Sequence, residues 1–245
     1  MLTVPTIEKL RRLKLEGVVR ALEEQCASSD FESLSFEERL GLLVDRELTD
    51  RENRRLATRL KQAKLRHHAC MEDLDYREPR GLDKSLLHSL ARCQWIRDHL
   101  NIFITGPTGV GKSFIACALA HRACLEGFKV RYFRTSRLFQ ELALARGDGT
   151  LSTLMNTLAK NQLLVLDDWG LSVLTDQEQR DLLEIVEDRH GMSSTIMASQ
   201  LPVEHWHEAI GNATLADAIL DRVVHNAYKI TLKGGSMRKK QSGLT

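Results

Sequence analysis

No stretch of this 245-residue chain is apolar for long enough to cross a bilayer, which takes about 20 residues. Its start, MLTVPT, lacks the charged-then-apolar layout of a secretion signal. These absences predict a cytoplasmic protein without a membrane partner. The five cysteines, Cys26, Cys70, Cys93, Cys117 and Cys124, form no CxxC pair and have no matching histidine pattern, which predicts reduced thiols and not a metal site. His67 and His68 have no carboxylate or cysteine at ligand spacing either and are expected on the surface. Nor does one charge dominate. Lysines and arginines number 35 against 33 aspartates and glutamates, so nucleic-acid binding cannot be read from net charge and has to rest on where the charges lie. An apolar fraction of 42% is enough for a real core, in one large domain or two smaller ones.

What is present centres on residues 101–113, NIFITGPTGVGKS. The first five residues read as a buried parallel strand, and the next eight match GxxxxGK[ST] at every fixed position. Gly106, Gly109 and Gly111 allow backbone conformations that a Cβ disfavours, so that the loop of Gly106, Pro107, Thr108, Gly109, Val110 and Gly111 wraps a phosphate and turns its successive N–H groups, of which Pro107 has none, inward on it. Lys112 adds a positive charge at the β/γ-phosphates. Ser113 offers a hydroxyl to Mg²⁺, and with Phe114 it opens a helix whose N-terminal dipole favours the same anion. The motif therefore predicts ATP with Mg²⁺. By itself it also permits a monomeric P-loop kinase acting on a small molecule.

Around this motif, residues 6–26 and 36–66 carry apolar residues at helical spacing, separated by a serine-rich turn. From 51 to 66 the second helix is basic at 51, 54, 55, 59, 61, 64 and 66 against one acidic residue. Arg51, Arg55 and Arg59 share a stripe, and Arg54, Lys61 and Lys64 spread the charge round it. That layout suits a DNA phosphate backbone, and a solvated helix face is the alternative. Residues 67–84 lose the periodicity and read as a linker before a short helix. Later strands follow at 129–133, 162–168, 194–199 and 228–232, with helices between them. Alternating strands and helices predict an α/β fold with a parallel five-stranded sheet and a site at the strands' carboxyl ends. Three groups fall there: the phosphate loop, the adjacent Asp167 and Asp168, and Gln200. In a strand-end acid pair of this kind the first carboxylate orients the Mg²⁺ shell and the second polarises the attacking water.

The order of these elements resembles the AAA+ ATPases of the initiator and helicase-loader clade. Closer still, the chain is similar to the IstB-like helper ATPases encoded beside transposases in bacterial insertion sequences. The features that carry this are the small helical N-terminal region, LLVLDDWG at 163–170, Trp206 after Pro202, LDRV at 220–223 and GSMR at 235–238. The resemblance implies a basic helical domain over 1–66 that binds DNA or a partner, a linker and short helix over 67–98, and an AAA+ ATPase domain over 99–245. It implies that Gln200 is the sensor 1 residue and Arg222 an arginine finger reaching a neighbouring subunit. A strand cap at Gln200, and a local pair between Arg222 and Asp217 or Asp221, are the alternatives. It further implies ATP hydrolysis, double-stranded DNA and a transposase as partners, and a homo-oligomeric ring or spiral, with the DnaC type of helicase loader as the nearest alternative. Two departures stand out. Asp168 occupies a position where the family has glutamate, which predicts slow turnover, and the chain ends soon after its last strand, which predicts no helical lid and leaves Arg238 as the tail's arginine.

Overall fold

A computed structural model describes residues 4–237; Arg238 and the residues after it lie outside the described residues. The chain forms two compact units, Met1–Thr58 and Arg59–Thr245.

The first unit holds helices α1 (Val4–Arg12) and α2 (Glu16–Ala27) and the greater part of α3 (Phe36–Ala63). The periodicity over 6–26 predicts one helix, but the chain breaks it. Lys14 takes a left-handed φ of +58°, its N–H bonds the Arg11 carbonyl, and the Leu15 N–H reaches back to Leu10. This is a Schellman ending with lysine where glycine is usual, so no sequence punctuation marks it. Glu47 of α3 is buried and accepts the N–H groups of Gly17 (2.7 Å) and Val18 (3.3 Å), which caps the start of α2. A Cβ on Gly17 would stand 2.7 Å from the Glu47 Cα, so the approach of the two helices requires glycine there.

In the second unit, α4 (Lys84–Leu90) and α5 (Gln94–Arg97) precede β1 (Asn101–Thr105). The chain then alternates through α6 (Lys112–Leu125), β2 (Val130–Arg134), α7 (Thr135–Gly147), α8 (Leu151–Lys160), β3 (Leu163–Trp169), α9 (Asp176–Arg189) and β4 (Ser194–Ser199). It closes with α10 (Trp206–Ile210), α11 (Ala213–Val224) and β5 (Ala227–Thr231). All strands pair in parallel in the order β2-β3-β4-β1-β5. The central strands β1, β3 and β4 are buried almost throughout, as parallel strands with helices on both faces must be. On one face Phe103, Trp169 and Trp206 pack edge to face, with centroids 4.7 and 5.8 Å apart around the fully buried Trp206. Each such aromatic pair adds about 0.5–1.5 kcal/mol beyond the area it buries.

The units part at Thr58/Arg59, inside α3, and not at residue 66. The reason is local bonding: Arg59 donates to the Cys124 carbonyl at the end of α6, and Arg131 donates to the Gln62 carbonyl, both at 2.9 Å. Among the described residues no helix is long and apolar enough to cross a membrane.

Candidate functional site

The carboxyl end of β1 releases the chain into a loop whose three glycines, Gly106, Gly109 and Gly111, all have φ between +85° and +144°. At Gly106 an added Cβ would stand 2.4 Å from the Leu232 carbonyl oxygen, and at Gly111 2.6 Å from a guanidinium nitrogen of Arg80. Backbone conformation and lack of space therefore both demand glycine. Lys112 is buried, and its Nζ donates to the carbonyls of Gly106 (2.7 Å) and Pro107 (2.8 Å), so the ammonium lies across the mouth of its own loop. Val110 is fully buried, and the Phe114 ring lies 6.3 Å from that of His67.

Ser113 Oγ donates to Asp167 Oδ1 at 2.9 Å, which joins the loop to the end of β3. Asp167 is only 1% exposed, and its other oxygen accepts the Tyr132 hydroxyl at 2.6 Å. Burial, and then that bond, push the Tyr132 phenol well above its ordinary pKa, so it remains a donor. In a regular strand Asp167 and Asp168 would face opposite sides of the sheet. Here β3 slips register against β4 between Leu166 and Trp169, and Asp168 adopts a φ of +58°. This β-bulge turns Asp168 into the same cavity as Ser113. Aspartate tolerates the left-handed region better than most side chains. Arg66 Nη1 stands 3.5 Å from Asp167 and 3.4 Å from Asp168, so one guanidinium touches both carboxylates. Gln200, at the end of β4, accepts a 2.6 Å bond from the Thr108 hydroxyl of the loop.

Of these groups, Thr108, Gly109, Gly111, Lys112, Ser113, Asp168 and Gln200 line a cavity of about 320 Å³, a volume within reach of a nucleotide-sized ligand. Its chemistry fits a phosphate chain with a divalent cation: a glycine cradle, the N-terminus of the 14-residue α6, a buried ammonium, and a hydroxyl beside a carboxylate. The other wall comes from the segment whose missing periodicity suggests a linker. His67, Asp73, Asp75 and Arg80 line the cavity together with Met237. His67 is therefore half-buried at the site and not a free surface residue. No spacing in the sequence signals these residues or Arg66. Tyr132 is more legible, as a polar-tipped residue on the strand beside the acid pair.

The remaining candidates lie elsewhere. Arg51 pairs with Glu47 at 2.6 Å, Arg54 donates to the Asp50 carbonyl at 3.2 Å, and Arg59 is held by the Cys124 carbonyl. A charge run counted from residue 51 leaves out the acids one turn upstream. Arg55, Lys61 and Lys64 are exposed and have no hydrogen-bond or ion-pair partner among the described residues. Arg222, on α11, pairs with Glu187 at 2.9 Å, and not with Asp217 or Asp221. It borders a hollow lined by His99, Asn101, Ser193 and Asn226, at the amino ends of β1, β4 and β5. The phosphate loop is at the other end of these strands, roughly 13 Å away along β1 at about 3.3 Å per residue.

Comparison with known proteins agrees with this geometry. Residues 8–245 match the family described as IstB-like ATP binding protein. An insertion sequence ATP-binding protein of Sinorhizobium fredii is 54% identical over 241 residues, covering 98% of each chain. The ATP-binding protein of insertion sequence IS1162 from Pseudomonas fluorescens is 51% identical over 203 residues, covering 82% of this chain and 88% of its own. Among solved structures, the fold is similar to DnaI at a TM-score of 0.59 and 20% identity, covering 67% of this chain and 91% of that one. A parallel five-stranded sheet, a P-loop at the end of β1 and these likenesses together show that the chain belongs to the IstB-like ATP-binding protein family, built on the AAA+ P-loop fold.

Proposed function

We propose that this chain is a cytoplasmic ATP-hydrolysing switch that assembles on double-stranded target DNA and recruits or stimulates the transposase of its insertion sequence. The observation that carries the reading is the division of the site between the two ends of the sheet. The glycine loop, Asp167, Asp168 and Gln200 converge at the carboxyl ends of the strands, and Arg222 lies at the amino ends. In this reading Lys112 leaves the Gly106 and Pro107 carbonyls for the β/γ-phosphates, while the loop N–H groups hold the β-phosphate. Asp168 orients the attacking water and Gln200, fixed by Thr108, lies beside the γ-phosphate. Mg²⁺, held through Ser113 and Asp167, would neutralise charge on the phosphate oxygens. Arg222 is too far from its own loop to assist and completes the site of a neighbouring subunit, which makes the homo-oligomer the hydrolytic form.

On the DNA side, Arg55, Lys61 and Lys64 are the side chains best able to meet phosphates, with Arg51 and Arg54, which share the single Glu47 carboxylate, contributing the charge it leaves unbalanced. The names of the relatives favour an insertion-sequence role. The DnaI-like fold supports a helicase-loader role as the second reading. A strand-transfer assay tests the first. The protein with ATP is expected to stimulate the transposase encoded beside it, and Lys112→Ala is expected to abolish that stimulation. Stimulation that persists without ATP, or none under any condition, would overturn the proposal.

A further inference from the structure

Two segments outside the sheet grip the phosphate loop from behind. Arg80 Nη1 donates to the Val110 carbonyl at 2.9 Å, while its Nη2 is held by the Asp75 carbonyl at 2.8 Å. The Met237 N–H donates to the Gly109 carbonyl at 2.9 Å. The two segments are tied to each other by the Lys233 N–H on the Arg80 carbonyl, and to the sheet by the Leu232 N–H on the Thr105 carbonyl. A Cβ on Gly109 would stand 2.3 Å from Ser236, so the tail occupies the space that this glycine leaves open.

In a planar trans peptide the C=O of one residue and the N–H of the next point in opposite directions. Holding the Gly109 carbonyl therefore sets the Val110 N–H, and holding the Val110 carbonyl sets the Gly111 N–H, each away from the clamp. Arg80 is also 94% buried, at 6% exposure, and lines the cavity. Among the described residues no carboxylate pairs with it, and its Nε has no hydrogen-bond partner. A buried cation without a counter-ion is unfavourable. An anion in the cavity would supply one.

We infer that Arg80 and the Met237 N–H form an outer clamp that fixes the phosphate loop in its anion-binding conformation, with Arg80 adding a second buried positive charge to that of Lys112. Arg80 is thus a positioning residue for the di- and triphosphate part of the ligand. This rests on the ATP reading above. A purely structural Arg80 would affect all nucleotides alike, whereas the clamp acts only on those with a β-phosphate.

The test is equilibrium binding of ATP, ADP and AMP to the full chain, with thermal melting of the nucleotide-free protein alongside. Arg80→Gln is expected to weaken ATP and ADP about tenfold, the loss typical of one charge-assisted hydrogen bond, and to leave AMP unchanged. Arg80→Lys, which restores the charge, should recover part of the loss. Met237→Pro, which removes the N–H on Gly109 and leaves Arg80 in place, should weaken ADP and leave AMP unchanged, and it carries the test if Arg80→Gln fails to fold. An equal loss for all three nucleotides, or no loss in either variant, overturns the clamp. A wild-type protein that binds AMP as tightly as ADP overturns the ATP reading itself.

Discussion

Replacing Arg222 with alanine separates two effects of very different size. The Arg222–Glu187 pair is partly solvated, with side chains 31% and 49% exposed, and an ion pair of this kind contributes about 0–1 kcal/mol. Its second bond, to the Ala218 carbonyl one turn back in α11, is worth about as much again. The variant should therefore melt only a few degrees below the parent, about 2–4 °C per kcal/mol for a chain of this size. An arginine acting in trans on a γ-phosphate contributes about 10³-fold or more to hydrolysis, which is about 4 kcal/mol of barrier. The expected loss of activity exceeds any loss of stability, so unfolding cannot explain it. Phosphate release at saturating ATP with duplex DNA, measured beside nucleotide affinity, should show binding retained and hydrolysis lost. Glu187→Ala, which breaks the same ion pair from the other side, should keep its ATPase activity. Mixing Arg222→Ala with Lys112→Ala subunits should restore part of the activity, because each supplies what the other lacks. Normal hydrolysis by Arg222→Ala, or no recovery on mixing while the two variants co-assemble, would refute the trans role.

Lys112→Ala removes the ammonium at the loop mouth and should abolish ATP binding and hydrolysis; a melting curve close to the parent's would show that the fold survives, and normal ATPase activity would contradict the site. Replacing Arg55, Lys61 and Lys64 with alanine should weaken duplex binding across unrelated sequences and reduce the slope of log K against log salt by about one for each phosphate no longer neutralised. Arg59 is left out of that set because its side chain is already held by the Cys124 carbonyl within the second unit. Isotherms at several salt concentrations with an unchanged slope would return these residues to a solvated face. In the first unit, the Arg51 guanidinium, helped by the Gly17 and Val18 N–H groups, holds Glu47 below the usual carboxylate pKa. Its stabilising effect is thus present above the unfolded-state pKa of about 4.3 and is lost as pH falls through the lower folded value. Acid titration of Glu47→Gln followed by circular dichroism should show less destabilisation between neutral pH and that range than the parent shows.

Much of the second unit is legible in the sequence because its signals are local. An apolar pentapeptide before GPTGVGKS predicts β1, the loop and α6, and a second apolar run ending in two aspartates predicts β3. What the sequence hides depends on the meeting of distant segments. The bulge that turns Asp168 into the cavity is a matter of pairing between β3 and β4, and no residue in the strand announces it. Arg66 reads as the last charge of a basic helix, yet it lies against Asp167 and Asp168 about a hundred residues away. The cavity wall at His67, Asp73 and Asp75 comes from a stretch whose lack of periodicity marks irregular backbone without saying what that backbone covers. The break at Lys14 is silent because a lysine stands where the ending of α1 would ordinarily place glycine. Charge counting misleads where it begins at residue 51, since the Glu47 carboxylate one turn upstream meets both Arg51 and Arg54.

The central claim, that ATP drives this chain to assemble on duplex DNA, is tested most directly by sedimentation velocity with a mixed-sequence duplex, with and without ATP. The account predicts a large discrete species that needs both ATP and duplex and that Lys112→Ala cannot form. A protein that sediments alike under all four conditions, or that coats DNA equally well without ATP, would contradict it.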